Sequence, residues 1–363
     1  MLPGELVRLK SSKDRKGVLW STPSEIMEPS PDRVTPRCPH FGTCGGCQYQ
    51  HARYETQLDL KAGILVEQLQ RMGKIDYEGE VEIIAGPEYG YRNRCQFQIE
   101  NGKLGYFEQG GTELVPISEC PIASPMIMLA IEKIRPLLPK FVSRFELFTN
   151  EREVQLNILR TERPLAKRFF EDCAKLVPGT DQPSIEYTAA GDTFRVNHKA
   201  FFQVNRFLVD ELSAEVLKDE SGDSAVDLYA GVGLFSVPLA RKFKQVTSVE
   251  TGAAAVADLK FNWKRAGLEG HAHCVRAEDW LTKATKTPDL VIADPPRTGL
   301  GKVAVQHLLR LKPRGITLIS CNPSTLARDL AELKSAYEIA GLTLIDLFPQ
   351  THHLETVAKL QLR

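Results

Sequence analysis

A chain of 363 residues is longer than one ordinary hydrophobic core, so two folded units with a short appendage are expected. Its 46 basic and 46 acidic residues balance, so bulk charge predicts no polyanionic partner, although a basic groove can hide inside a neutral total. No run of roughly 18 apolar residues is present to span a bilayer, and the N-terminus lacks the apolar core of a signal peptide, which argues against a membrane partner and for the cytoplasm. In such a compartment eight cysteines read as metal ligands, nucleophiles or buried thiols rather than disulfides.

Residues 1–37 hold short apolar stretches (Glu5 to Leu9 and Gly17 to Trp20) broken by charges, and end in the turn-rich Pro29-Ser30-Pro31-Asp32-Arg33. They look like part of a small β module, and Arg8, Lys10, Lys13, Arg15, Lys16, Arg33 and Arg37 give it a modest basic excess suited to phosphate, or simply a solvated face. From His51 to Gly73, Leu58, Ala62, Leu65, Leu69 and Met72 recur at helical spacing, and Gly73 suits a helix C′ position. Between Val81 and about Tyr187, short strands (95–99, 103–107, 145–149, 154–160) alternate with helical stretches (125–138, 164–176), the pattern of an independent α+β domain. Within it, Tyr91-Arg92-Asn93-Arg94 with Tyr106 and Phe107 sets cations beside aromatic rings that could stack a splayed base.

From Asn205 the rhythm becomes helix, buried strand, helix, which predicts a doubly wound α/β sheet with strands at 225–229, 246–250, 273–276, 290–294, 316–320, 342–348 and 357–362. The expected division is therefore 1–37, 38–195 and 196–363, with the helix at 51–73 free to pack on the last unit.

Asp227-Leu-Tyr-Ala-Gly-Val-Gly lies where the first of these strands turns into a helix. Gly231 and Gly233 there carry no β-carbon to hold a ligand off the backbone. Glu250 ends the next strand about 20 residues on, where an acidic side chain in this fold accepts hydrogen bonds from a ribose diol. The turn departs from the dinucleotide Gly-x-Gly-x-x-Gly pattern and resembles motif I of class I methyltransferases, which favours S-adenosylmethionine over NAD. A packing turn with no ligand is the alternative.

Two further strand ends carry Asp294-Pro-Pro-Arg-Thr-Gly299 and Ser320-Cys-Asn-Pro323, and Asp346-Leu-Phe-Pro-Gln-Thr-His-His-Leu-Glu355 follows a third. Ligands in open α/β sheets bind outside the carboxyl ends of the strands, so all three face one crevice. Together these motifs resemble those of the RNA 5-methyluridine methyltransferase family, over nearly the whole chain after residue 30. Leu318 departs from the tyrosine common before the Ser-Cys pair, a difference that touches packing and no chemistry. The reaction explains the residue types. Uracil C5 is a poor nucleophile until a thiolate adds at C6, for which Cys321 is the candidate, and the C5 proton must then be removed by a base. The resemblance gives that role to Glu355. It also implies that Gln203, Tyr229 and Glu250 contact the cofactor, and that Asp294 lies near the cofactor or the uracil edge. His352 and His353 have no third ligand at matching spacing and are not read as metal ligands.

Cys38, Cys44 and Cys47 form a tight thiolate cluster, because Gly45 and Gly46 let the backbone fold around one centre. The residues alone leave zinc open. The family resemblance adds Cys120 as fourth ligand and implies a [4Fe–4S] cluster, structural or RNA-contacting. Cys95, Cys173 and Cys274 read as core thiols. Relatives often begin with a complete β-barrel RNA-binding module, the TRAM domain, of which about half fits before Cys38. The expected substrate is RNA, ribosomal in preference to transfer RNA, and the expected form is a monomer. A 5-methylcytidine enzyme would carry a cysteine where Arg297 stands, and an exocyclic-amine methyltransferase an aromatic residue there. A non-catalytic RNA-binding scaffold would have no need of Cys321 and Glu355 together.

Overall fold

The structure is a computed structural model that describes residues 1–15 and 17–363. Strands β1 (Leu6–Arg15) and β2 (Val18–Glu28) form an antiparallel hairpin. Lys16 and the side chains of Lys13 and Arg15 lie outside the described residues. Part of the expected basic excess is cancelled locally, since Arg8 pairs with Glu25 and Arg33 with Glu5.

Helix α1 (Tyr54–Gly73) starts three residues later than the spacing predicts, and Lys74, not Gly73, takes the left-handed position, at φ 51°. Gly73 serves packing instead: a β-carbon there would sit 2.9 Å from the Ala327 carbonyl oxygen. The buried face of α1 carries Leu65 and Leu69 and also Lys61.

After β3 (Val81–Ile84) come β4 (Arg94–Glu100), β5 (Lys103–Phe107), β6 (Leu114–Pro116), α2 (Pro125–Ile134), β7 (Val142–Thr149), β8 (Val154–Thr161) and α3 (Lys167–Leu176). Five of these strands make an antiparallel sheet in the order β6-β5-β4-β7-β8. Its core joins Cys95, Phe97, Phe145 and Leu147 of the sheet to Ile127 and Ile131 of α2 and Cys173 of α3. Ser124 caps α2 by accepting from the Met126 amide, with Pro125 at the first turn, where the missing N–H costs nothing. The hairpin β9 (Ser184–Ala189) and β10 (Asp192–Asn197) packs on α6 (Ala253–Arg265), where Arg195 pairs with Asp258 at 2.6 Å.

The remaining elements are α4 (Val209–Leu217), β11 (Gly222–Leu228), α5 (Ser236–Lys242), β12 (Phe243–Glu250), β13 (His271–Cys274), α7 (Ala277–Lys283), β14 (Leu290–Ala293), α8 (Gly301–Leu311), β15 (Gly315–Ser320), α9 (Pro323–Leu333), β16 (Tyr337–Ile345) and β17 (Thr356–Leu362). They build an eight-stranded sheet ordered β13-β12-β11-β14-β15-β17-β16-β3. Buried clusters lie on both faces. Strand order reverses between β11 and β14, the switch point at which ligands bind in open sheets.

The sheet is mixed rather than wholly parallel. β17 runs antiparallel to β15 and β16, because a loop rather than a crossover helix joins β16 to β17. Its far edge is β3, parallel to β16 and drawn from within the range expected for the central domain. α1 packs against α9 on the same unit. β13 begins two residues before its predicted start and leaves Cys274 exposed, so that cysteine is no core thiol. Among the described residues no helix is long and apolar enough to cross a membrane.

Candidate active site

The turn after β11 is built on positive φ: Tyr229 at 64°, Gly231 at 55° and Gly233 at 97°. A β-carbon on Gly231 would meet nothing, so its glycine answers to conformation, whereas one on Gly233 would lie 2.4 Å from the Leu259 side chain. Glu250, at the end of β12, accepts from the Gly231 amide (3.0 Å) and the Gly252 amide (2.7 Å). A carboxylate is thereby pinned across the glycine turn, the arrangement that receives a nucleoside ribose.

Three neighbouring strands deliver the chemical groups. Asp294 directly follows β14, Cys321 follows β15, and Glu355 precedes β17, so all lie at one edge of the sheet. Gln203 Nε2 donates to Asp294 Oδ2 at 3.4 Å and brings the segment before α4 onto the same spot. Burial pushes the Asp294 carboxyl up to about 7. Burial, aided by the charge of Asp294, holds Glu355 well above the usual carboxylate range. Burial, with the Glu355 carboxylate beside it, pushes the half-buried Cys321 thiol up to about 11.

The Arg297 guanidinium opposes both of the last two shifts. Its backbone is tied to the start of α9, where Asn322 Nδ2 and Thr325 Oγ1 each donate to the Arg297 carbonyl at 3.2 Å. Asn322 Oδ1 in turn caps α9 by accepting from the Ser324 amide at 3.1 Å. A thiol, two carboxyl groups and one guanidinium thus act on one another at the same strand ends, beside the glycine turn.

The His352 and His353 rings meet at a tilt of 48° with centroids 4.4 Å apart, and His352 Nδ1 contacts Gln48 Oε1 at 2.9 Å. Burial lowers both, His353 to about 4, so these rings are neutral at physiological pH. The proposed stacking segment is corrected by burial: Tyr91 is fully enclosed and its hydroxyl donates to the Pro349 carbonyl (3.0 Å). Arg94 is likewise buried, paired with Glu146 at 3.1 Å and lying over Phe148. Phe107 remains exposed.

Cys38, Cys44, Cys47 and Cys120 all line one cavity of about 670 Å³. Gly45 fits a tight spot there, since a β-carbon would come to 3.1 Å from the Phe107 carbonyl oxygen, and the Gly46 amide points at Cys44 Sγ (3.4 Å). Among the described residues, no group of three or more His, Cys, Asp or Glu is placed to hold a metal ion.

Sequence reasoning missed Lys61, Tyr91, Asn205 and Gln350 as supports of the loop at 346–355, which precedes β17 and ends in Glu355, and Arg297 as the local cation. Lys61 did leave a signal, a charge four residues before Leu65 on the face that also carries Gln57 and Leu69.

A switch-point crevice with a glycine turn, a ribose-ready glutamate, a thiol and a buried carboxyl defines a class I S-adenosylmethionine-dependent methyltransferase. The chain belongs, within that class, to the RNA 5-methyluridine methyltransferase family and is an RNA (uracil-5-)-methyltransferase. The family profile "tRNA (Uracil-5-)-methyltransferase" matches residues 276–363, and "Methyltransferase small domain" matches residues 198–314. An uncharacterized RNA methyltransferase of Aquifex aeolicus is 33% identical over 99% of this chain and 92% of that protein. The 23S rRNA (uracil(1939)-C(5))-methyltransferase of Cronobacter sakazakii is 32% identical over 99% and 89%. The crystal structure of Pyrococcus abyssi tRNA (uracil-54, C5)-methyltransferase in complex with S-adenosyl-L-homocysteine superimposes with a TM-score of 0.79 at 25% identity, covering 99% of this chain and 93% of that one.

Proposed function

We propose that the chain methylates C5 of a uridine in 23S ribosomal RNA through a covalent Cys321–C6 adduct. The observation that carries this reading is the meeting of Cys321 and Glu355 at one sheet edge, beside the glycine turn and Asp294. The partly exposed Cys321 loses its proton to solvent water and its sulfur bonds to C6, moving the C5–C6 π electrons toward C5 and O4. C5 then bonds to the sulfonium methyl carbon, whose bond to sulfur breaks. Glu355 takes the remaining C5 proton, the C5–C6 double bond re-forms and Cys321 leaves as thiolate. Gln203, Tyr229, Gly231, Gly233 and Glu250 hold the methyl donor, with Asp294 at its reactive end. Cys321 reaches C6 only in an unstacked base, so the uridine is extruded from its helix or loop.

The ribosomal assignment is supported by the Cronobacter relative; the likeness to a transfer RNA enzyme supports the same chemistry on a tRNA uridine as the second reading. We further assign a [4Fe–4S] cluster to Cys38, Cys44, Cys47 and Cys120. All four cysteines line one cavity, and the family resemblance favours a polynuclear iron–sulfur centre there over zinc. When bound, it would tie the 38–47 segment to the segment after β6. The β1–β2 hairpin is read as a shortened TRAM-like element.

Transfer of labelled methyl from S-adenosylmethionine to total RNA lacking the modification, followed by nucleoside analysis and fragment mapping, tests this. The expected result is 5-methyluridine in ribosomal fragments, absent with Cys321→Ala. Label in transfer RNA selects the second reading, and label on cytidine, or none, overturns both.

A further inference from the structure

We propose that Gln350 is a positioning residue for Glu355: it clamps the turn of the catalytic loop onto the N-terminal half of the chain. The proposal rests on the reading of Glu355 as the base that resolves the adduct.

Residues 346–355 leave the sheet after β16 and return at β17, and backbone carbonyls in such a buried loop need partners from elsewhere. Four consecutive ones find them in four separate segments. The Leu347 carbonyl accepts from Asn205 Nδ2 (3.1 Å), that of Phe348 from Lys61 Nζ (3.0 Å), and that of Pro349 from the Tyr91 hydroxyl (3.0 Å). The Gln350 carbonyl accepts from the Gln48 and Tyr49 amides, both at 3.0 Å. Lys61 also pairs with Asp346 at the loop's start at 2.6 Å, with both side chains fully buried.

Gln350 is the point of greatest constraint. It is 1% exposed and holds φ at 68°, a left-handed conformation that disfavours a residue with a β-carbon. Its amide donates to Gln57 Oε1 (2.9 Å), its Oε1 accepts from Gln57 Nε2 (3.1 Å), and its Nε2 donates to Glu88 Oε2 (2.8 Å). Such a conformation persists only where surrounding bonds over-determine it. From this turn the chain runs to Glu355 through Thr351, whose hydroxyl donates to the Phe348 carbonyl (2.8 Å) and accepts from the His353 amide (3.2 Å). The backbone carbonyl of Glu355 accepts from the Ile345 amide, so Gln350 bears on Glu355 through the stretch of loop that joins them. Nothing in this network touches Cys321, so its loss should harm proton removal more than nucleophilic attack.

The test follows the full-length protein with unmodified RNA and S-adenosylmethionine, scoring both turnover and the denaturant-stable Cys321–RNA adduct. Glu355→Gln serves as the reference, with Gln350→Ala, Gln350→Asn and, on α1, Gln57→Ala beside it. Expected for Gln350→Ala is a turnover loss of about tenfold or more, with a several-fold higher steady-state fraction of adduct and unchanged S-adenosylmethionine affinity. Gln57→Ala should act the same way more weakly, and Gln350→Asn, whose side chain tolerates the left-handed region, should recover part of the loss. Adduct and turnover falling in parallel in both alanine variants would mean a merely structural role and overturn the proposal. If Glu355→Gln itself traps no adduct, the base assignment fails and the proposal falls with it.

Discussion

Cys321 holds its thiol near 11, far above the range in which a free nucleophile works at neutral pH. On the proposed mechanism, the thiol then loses its proton only as the uracil arrives. Because the Glu355 carboxylate helps raise the thiol, Glu355→Gln should lower it and speed alkylation of Cys321 by iodoacetamide at alkaline pH, by about tenfold per pKa unit recovered. Peptide mass spectrometry separates this cysteine from the exposed Cys274, and slower alkylation in the variant would contradict the electrostatics. The proton-removal step has its own sign. A base works deprotonated, and burial and Asp294 raise Glu355, so adduct resolution should quicken as the pH rises above the usual carboxylate range and fail toward acid. A pulse-chase profile that is flat or falls with pH would rule this out. The places of Cys321, Glu355 and Asp294 in the fold could be read in the sequence because each sits in a short motif at a strand's end, whereas Gln203 lies mid-loop and was named only through the family resemblance. Lys61 could not be paired with Asp346, since 285 positions separate them and only the folded packing of α1 joins them.

The end of α1 shows how one helix terminus divides its tasks between adjacent residues. Gly73 allows the close approach to α9, while Lys74 carries the left-handed turn. Gly73→Ala should accordingly destabilise the protein by about 1–3 kcal/mol, the usual cost of overpacking, and Lys74→Gly should stabilise it by about 0.5–1 kcal/mol through relief of backbone strain. Thermal unfolding reads both, and a neutral Gly73→Ala would show that α1 and α9 can separate freely. A helix C-terminus announces itself in sequence as a glycine, which is why the two roles merge there when read from composition alone. The alternating helices and apolar strands of the last unit were legible for the same local reason. β3 was not, because its four residues are nowhere fully buried and its pairing with β16 is set by the whole sheet. Likewise, local sequence predicts the β16 and β17 strands but not that the second runs back antiparallel.

At the scale of the molecule, the base-bearing loop of the catalytic unit is stabilised largely by residues that precede that unit in the chain. Gln48 and Tyr49, whose amides hold the Gln350 carbonyl, directly follow Cys47 of the proposed cluster site. His352 meets Gln48 through a second contact. A cluster anchored on Cys38, Cys44, Cys47 and Cys120 would fix the start of this strut without taking part in the chemistry. Cys120 comes from after β6, so Cys120→Ser can weaken the cluster without altering any residue of the strut. Hydrogen exchange should then quicken together at the amides of Gln48, Tyr49 and Gln350, by about tenfold for each 1.4 kcal/mol of local stability lost. The buried strands β11 and β14, which touch neither segment, should keep their wild-type protection. Exchange that quickens only around the cysteines would mean that the cluster segment and the catalytic loop open independently. A uniform rise over the whole chain would mean that they are coupled only through global unfolding. Local, joint opening is the outcome the hydrogen bonds predict, because the Gln350 carbonyl loses its partners as soon as the segment after Cys47 moves.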